Sequence, residues 1–355
     1  RSLANFAGVT YMQSGSEVVN IAGATRGIYN GVAFGTLYGG SNGSYQNLGV
    51  DGITGTEAEK RDLYRTAYEN DAELDIDYII GGAVNKDSNN LVNKEVARIA
   101  ALRKDCMAFV SPGVSLASAN LIENSSFQTG ITAAEQERDV LGNNSYTFMD
   151  SGWKYMYDKY NDINRWVPLN PDTAGIVART ETNQDAWVSP AGNQRGNYQN
   201  IIKLSMNPSK SDRDRLYKKQ INPVVSFPGE GTILFGDRTA VTRPGSFDRI
   251  NVRKLFIALE KNLATAAKAR LFEINDQFAR SSFRTTVERF LRSVQGRNGI
   301  QDFQVVCDTT NNSDDRIDAG EFVADVFVKP TTYVNYIRLN FVATRDTVSF
   351  TEAQA

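Results

Sequence analysis

With 355 residues, 39 basic and 41 acidic side chains and a formal net charge of −2, the chain is long enough for two cores and too evenly charged to single out nucleic acid as a partner. It contains no histidine, which removes Ser-His-Asp and Cys-His nucleophile activation, His-containing zinc sites and the commonest general base. Cys106 and Cys307 form no close-spaced pair, cannot hold zinc unaided and are expected as buried thiols of a protein made in a reducing cytosol. No apolar run approaches the length of a membrane span, so membrane insertion is not expected.

The opening stretch mixes Gly, Ser and short apolar pieces without a clear period. Together with a start at Arg1 rather than Met, this predicts a fragment whose residues 1–30 are the remnant of a preceding domain. In "TEAEKRDLYRTAYEN", Thr56 and Glu59 have capping-box spacing, and Leu63, Ala67 and Tyr68 recur as on one helix face. Next comes an apolar run, Ile76 to Ala83, then a helical "NKEVARIAALRK" with Val96, Ile99 and Leu102 on one side, then "CMAFVSP". That order is strand, helix, strand, which predicts a parallel pair in a mixed α/β layer.

"LNPDTAGIVART" reads as a helix start with Asn170 as N-cap, Pro171 in the first turn and Asp172 favoured by the helix dipole. The turn-forming "SPAGNQRGNYQN" suggests a domain boundary near Asn200 and is followed by a short charged helix ending at Asn222 and Pro223. Residues 31–200 are thus expected as a mixed α/β middle domain and 201–355 as an α+β C-terminal domain. From Phe247 to Gln295 two amphipathic helices are expected, broken near Ala279 to Ser282. The first has Val252, Leu255, Phe256, Leu259 and Leu263 on one side, the second Phe283, Val287, Phe290, Leu291 and Val294. Three alternating stretches close the chain: Phe303, Val305, Cys307; Phe322, Ala324, Val326, Val328; and Ile337, Leu339, Phe341, Ala343, as for a sheet with one buried face.

The acidic, Asn-rich loop between the first two of these stretches invites a calcium reading that no register supports. A loop ending at Glu321 puts Asp315 where a calcium loop needs Gly, and one starting at Asp308 puts Ala319 where it needs Glu. A solvated turn is the better reading. "GGSNGS" lacks the Lys of a phosphate-binding loop, and the adjacent Asp314 and Asp315 give no promise of the burial an acid/base pair needs. No catalytic, metal or cofactor residue is assigned. The segment Arg243 to Arg297 stands out by charge: twelve basic against five acidic residues make it +7, leaving −9 for the rest of a chain at −2. Such helices can meet nucleic acid, meet an acidic protein surface or simply face water.

"YDKYNDINRWVPLNPDTAGIVART", "SPAGNQRG", "FDRINVRKLF", "RLFEINDQFARSSFRT", "VVCDTTNN" and "NYIRLNFVATR" stand in order along the chain. Together they resemble the C-terminal half of tail sheath proteins of contractile-tailed, T-even-like bacteriophages. The resemblance implies a structural protein of the virion tail, assembled in the host bacterial cytoplasm, with no enzymatic activity and no cofactor. It implies six subunits per ring, stacked helically around a tail tube, with baseplate and tail terminator proteins as further partners and no direct contact with nucleic acid. It also implies a small C-terminal sheet completed by strands from neighbouring subunits, with Phe322, Val326, Val328, Ile337, Leu339 and Phe341 at that interface. Arg280, Arg284 and Arg292 become candidates for facing the tube. The sheath of a related contractile injection system is the alternative, and a nucleic-acid-associated protein using the basic helices a more distant one.

Overall fold

A computed structural model describes residues 17–21, 24–29, 32–35, 57–71, 73–84, 91–113, 127–243 and 245–332. The chain divides into two compact units, residues 1–272 and 273–355. Strands β1 (Glu17–Ile21), β2 (Ala24–Tyr29) and β3 (Val32–Gly35) form an antiparallel meander. The division expected at residue 30 falls inside it.

The centre of the first unit is a three-stranded parallel sheet of β4 (Tyr78–Ile80), β5 (Met107–Val110) and β6 (Thr147–Met149), in that order. The strand–helix–strand expectation holds: α1 (Glu57–Tyr68) precedes β4, and α2 (Leu91–Arg103) connects β4 to its parallel partner β5. Alternate side chains of β5 enter two separate cores, as successive residues of a strand must. Ala108 and Val110 join Val96 and Ile99 of α2, Ile131 of α3 (Phe127–Leu141) and Leu216 of α5 (Lys210–Lys218). Met107 and Phe109 join Phe148, Ile176 and Val177 of α4 (Asn170–Asn183), and Ile250 and Ile257 of α6 (Ile250–Lys268). The sheet is covered on both faces, which is why β5 is apolar throughout.

Two helix readings need correction. On α2 the buried stripe runs Val92, Val96, Ile99, Arg103, and Leu102 is exposed. Position 103, four past Ile99, faces inward, and the buried Arg103 guanidinium binds the carbonyls of Tyr68, Asn70 and Leu74 and the Asp105 carboxylate. The N-cap of α4 is Leu169, not Asn170, and makes no side-chain cap bond. Asn170 is buried one residue further in, its amide nitrogen donating to the Gly82 carbonyl. Thr56 of the expected capping box at α1 lies outside the described residues.

The boundary expected near Asn200 is likewise sewn into hydrogen-bonded structure. The antiparallel pair β7 (Trp153–Asp158) and β8 (Ile163–Pro168) is joined by β9 (Lys203–Leu204), which pairs with β7 across that point. On its other side, Gly196 and Tyr198 exchange backbone bonds with the hairpin β10 (Val224–Phe227) and β11 (Gly231–Leu234). A Cβ at Gly196 would lie 3.0 Å from the Gly192 carbonyl oxygen and 3.1 Å from that of Leu234, so the turn-forming residues serve close backbone approach rather than a linker.

The break between the basic helices comes earlier than the sequence suggested. α6 ends at Lys268 and α7 runs Gln277–Gly296, so Ala279 to Ser282 are inside the second helix. Asp276 is its N-cap and accepts the Ala279 amide at 2.6 Å. The second unit comprises α7, β12 (Ile300–Val306), the short α8 (Asp314–Asp318) and β13 (Asp325–Pro330), with β12 and β13 antiparallel.

Candidate assembly interface

In the second unit α7 turns Arg280, Phe283, Val287, Leu291 and Val294 inward. Beyond α7, β12 and β13 pair with Val305 opposite Val326 and Phe303 opposite Val328. Val326 and Val328 are half-buried on one face of β13, and Phe327 between them is exposed. Phe322 precedes the strand and meets Phe283 edge-on at 5.4 Å, so it anchors the strand to the helix. Ile337, Leu339 and Phe341 lie outside the described residues.

The acidic loop between β12 and β13 is braced by asparagine amides. Asn312 donates to the Val323 carbonyl and accepts the Val323 amide, both at 2.8 Å, imitating a strand pair. Asn311 donates to the Val306 carbonyl at 2.8 Å and to Asp325 at 3.0 Å. Thr310 binds Asp308 through both hydroxyl and amide and holds its carboxyl below the usual range. The loop is a built connector. Asn followed by Asn at the mouth of a hairpin was the available signal, overshadowed by the acidic residues.

The three arginine candidates do not share one exposed face. Arg280 is buried, because it falls in register with Phe283 and Val287. Its guanidinium donates to the Asn275 side-chain oxygen at 2.8 Å and carbonyl at 3.3 Å. It is therefore a structural clamp and not a surface contact. Arg284 and Arg292 are exposed and share one carboxylate, Glu288, at 2.8 Å and 3.7 Å, with Asp308 a further 4.0 Å contact for Arg284.

Much of the basic surplus of α6 is consumed inside the first unit. Arg249 at its N-cap pairs with Asp237 at 2.7 Å, and Lys261 reaches Asp75 and Asp77 at 2.8 Å each. Arg253 stacks 3.7 Å from the Phe247 centroid and 4.3 Å from that of Tyr146. Lys254 is buried against the Glu181 carboxylate at 2.6 Å and the Tyr78 hydroxyl at 2.5 Å. Burial lowers the Lys254 pKa and works to raise that of Glu181, but the lysine charge together with the hydrogen bonds from Lys254 and Tyr78 outweighs burial there and holds the carboxyl below its usual value. The acids concerned are 73 to 186 residues away for the two lysines and 12 for Arg249, a span no local pattern displays.

Among the described residues the most perturbed carboxyl is buried beyond the carboxyl ends of β5 and β6, where parallel sheets often bind ligands. Asp150 accepts from the Ser111 hydroxyl at 2.8 Å, the Gly152 amide at 3.1 Å and the Thr173 hydroxyl at 3.4 Å. Burial pushes its pKa up to about 8 against these bonds. The Ser111 oxygen accepts the Asn170 amide, and the Thr173 hydroxyl shares a bond with that of Tyr198. Ser111, Asp150, Thr173 and Tyr198 are all buried, so the network stitches two strands to α4.

Comparison with known proteins gives these surfaces a context. The family model for the phage tail sheath protein central domain matches residues 52–240, and that for the phage tail sheath C-terminal domain matches 242–344. The chain is 45% identical over 262 residues to the tail sheath protein of Vibrio phage KVP40, covering 72% of this chain and 39% of that protein. It is 41% identical over 286 residues to that of Enterobacteria phage T4, covering 79% and 43%. The chain thus spans about two fifths of the length of these relatives. Among solved structures, the anti-feeding prophage baseplate contains a chain matched with a TM-score of 0.65 at 16% identity, covering 82% of this chain and 76% of that one. The contracted PVC sheath complex of an extracellular contractile injection system is matched at 0.59 and 17%, covering 72% and 68%. The fold is accordingly of the contractile-sheath class, a mixture of helices and small sheets. The chain belongs to the phage tail sheath family.

Proposed function

We propose that this chain is the central and C-terminal part of a tail sheath subunit, which polymerises in hexameric rings around a tail tube and shortens to drive that tube through a host envelope. The tandem match of both sheath domains over residues 52–344 carries the reading. Tube, baseplate and tail terminator proteins are the partners beyond self, the virion tail is the site of action and the bacterial cytoplasm the site of assembly. The role is mechanical, without catalysis. Among the described residues the strongly shifted Asp150 is buried and held by Ser111, Gly152 and Thr173 of its own network. Contraction draws on the free-energy difference between two lattices, so no nucleotide is required.

The β12–β13 ladder is proposed as the joining element. Among the described residues β12 and β13 form a two-stranded sheet, which is marginal by itself, and β13 is only half-buried along its length, so added strands from other subunits would complete it. Arg284 and Arg292 remain candidates for the tube side, in a weak, salt-sensitive contact of about 0–1 kcal/mol per pair. A nucleic-acid function has less support, since Arg249, Lys254 and Lys261 are already paired. Electron microscopy of the intact sheath protein with and without tubes tests the reading: helical tubes or sheathed tails are expected, and only dispersed monomers under both conditions would overturn it.

A further inference from the structure

We propose that Thr173 and Asp150 form a proton-controlled switch at the start of α4, the one proton of the Thr173 hydroxyl turning to the Leu169 carbonyl while Asp150 is neutral and to the Asp150 carboxylate once it is ionised. All of its parts lie in the first unit, and none depends on the sheath reading. The Thr173 hydroxyl oxygen stands 3.0 Å from the Leu169 carbonyl oxygen and 3.4 Å from Asp150 Oδ2. A hydroxyl has a single proton to give and two lone pairs to receive with, so it cannot donate to both at once. Its third neighbour, the Tyr198 hydroxyl at 2.7 Å, can donate to it in either setting. Leu169 is the N-cap of α4 and its carbonyl also takes the Thr173 amide at 2.9 Å, so the choice bears on the first turn of the helix.

Asp150 controls that choice because of what surrounds it. Its carboxyl is buried among uncharged donors, the Ser111 hydroxyl, the Gly152 amide and Thr173, and among the described residues no lysine or arginine bonds to it. The charged groups on the neighbouring elements are engaged elsewhere. Asp172 of α4 pairs with Lys154 of β7 at 2.9 Å, and Glu137 of α3 accepts the Gly113 amide at 2.6 Å. The remaining neighbours are uncharged: Asn93 of α2 donates to the Ser111 carbonyl, the Gly82 carbonyl after β4 takes the Asn170 amide, and the Asn222 and Val224 amides bond to the Met149 carbonyl and the Ser151 hydroxyl. A buried carboxylate without a cation is costly, so the neutral acid is the resting form, in line with the rise to about 8 that burial produces. The Tyr198 phenol is held well above its ordinary value, first by burial and then by the Asp150 charge, and stays protonated throughout. On ionisation Asp150 gives its proton to water, and the new charge draws the Thr173 proton away from Leu169. The first turn of α4 then loses one bond to its own cap and gains a stronger one to the sheet.

Carbon-13 magnetic resonance of this chain, labelled at the aspartate carboxyls and the leucine carbonyls, tests the switch between pH 6 and pH 9. One aspartate carboxyl, missing from Asp150→Asn, should titrate near pH 8, and the Leu169 carbonyl should move with the same midpoint. Thr173→Val should raise the midpoint by about half to one pH unit, since the ionised form loses a donor, and Thr173→Ser should restore it. An Asp150 already ionised at pH 6, a Leu169 carbonyl indifferent to the titration, or a Thr173→Val midpoint equal to the parent's would each overturn the proposal. If the variants misfold, the parent decides alone: coincident midpoints for one aspartate and Leu169 are expected, and the absence of any aspartate titrating above pH 6 overturns the switch.

Discussion

Asp150 shows how a single buried carboxyl sets a pH dependence. Its folded pKa of about 8 lies above the ordinary value near 3.8, so folding takes up a proton between those limits. The native state binds more protons than the unfolded one there, and stability falls as pH rises from about 4 to about 8, by at most ~1.4 kcal/mol per pH unit. Asp150→Asn removes the ionisation, and its melting temperature should decline less between pH 5 and pH 8 than the parent's; parallel curves would show that Asp150 is ionised in the fold. Among the arginines, Arg280→Ala should cost the second unit about 1–3 kcal/mol by unclamping Asn275, while exposed Arg284→Ala should stay within about 0.5 kcal/mol in denaturant titrations. Sequence spacing placed Arg280 and Arg284 together because residues four apart share a face. It could not show that the phase of α7 turns one inward with Phe283 and leaves the other in water.

The elements were legible where their signals are local. Apolar runs and helical periods revealed the β4–α2–β5 unit, both amphipathic helices and the strands around Val305 and Val326, because burial period is written in consecutive residues. The break between α6 and α7 was displaced because "ARSS" resembles a breaker, whereas the N-cap that decides the matter is Asp276. The Gly-rich "FPGEGT" is the tip of the β10–β11 hairpin, with Gly229 and Gly231 at positive φ. Also at this scale, Val326→Pro would remove a backbone donor from β13 opposite Val305, at a cost of about 3 kcal/mol or more. Assembly should be lost while the first unit keeps its melting transition. Normal polymers from this variant would mean that the ladder does not join subunits.

At the scale of the whole molecule, the recognisable segments revealed the family, but neither they nor the two family models mark the physical division. The models meet between residues 240 and 242, the sequence suggested a break near Asn200, and the compact units part at 272/273. The cause is α6. It carries the start of the C-terminal family domain but places Ile250 and Ile257 in the core with Phe109 and Phe148, and fastens Arg249, Lys254 and Lys261 to Asp237, Glu181, Asp75 and Asp77. Such pairings lie far apart in sequence, which is why composition registered only an unexplained basic excess. Burying Ile250, Val252, Leu255, Ile257 and Leu259 contributes on the order of 8–15 kcal/mol at 1.5–3 kcal/mol each, an upper figure but as large as the stability of an ordinary domain. A first unit cut after residue 240 should therefore fail to fold, binding hydrophobic dye and lacking a cooperative melt, whereas one cut after residue 272 should unfold in a single cooperative transition. Equal cooperativity from both would show that α6 belongs energetically with the helix that follows it, and that its buried lysine and arginine pairs contribute little to the first unit.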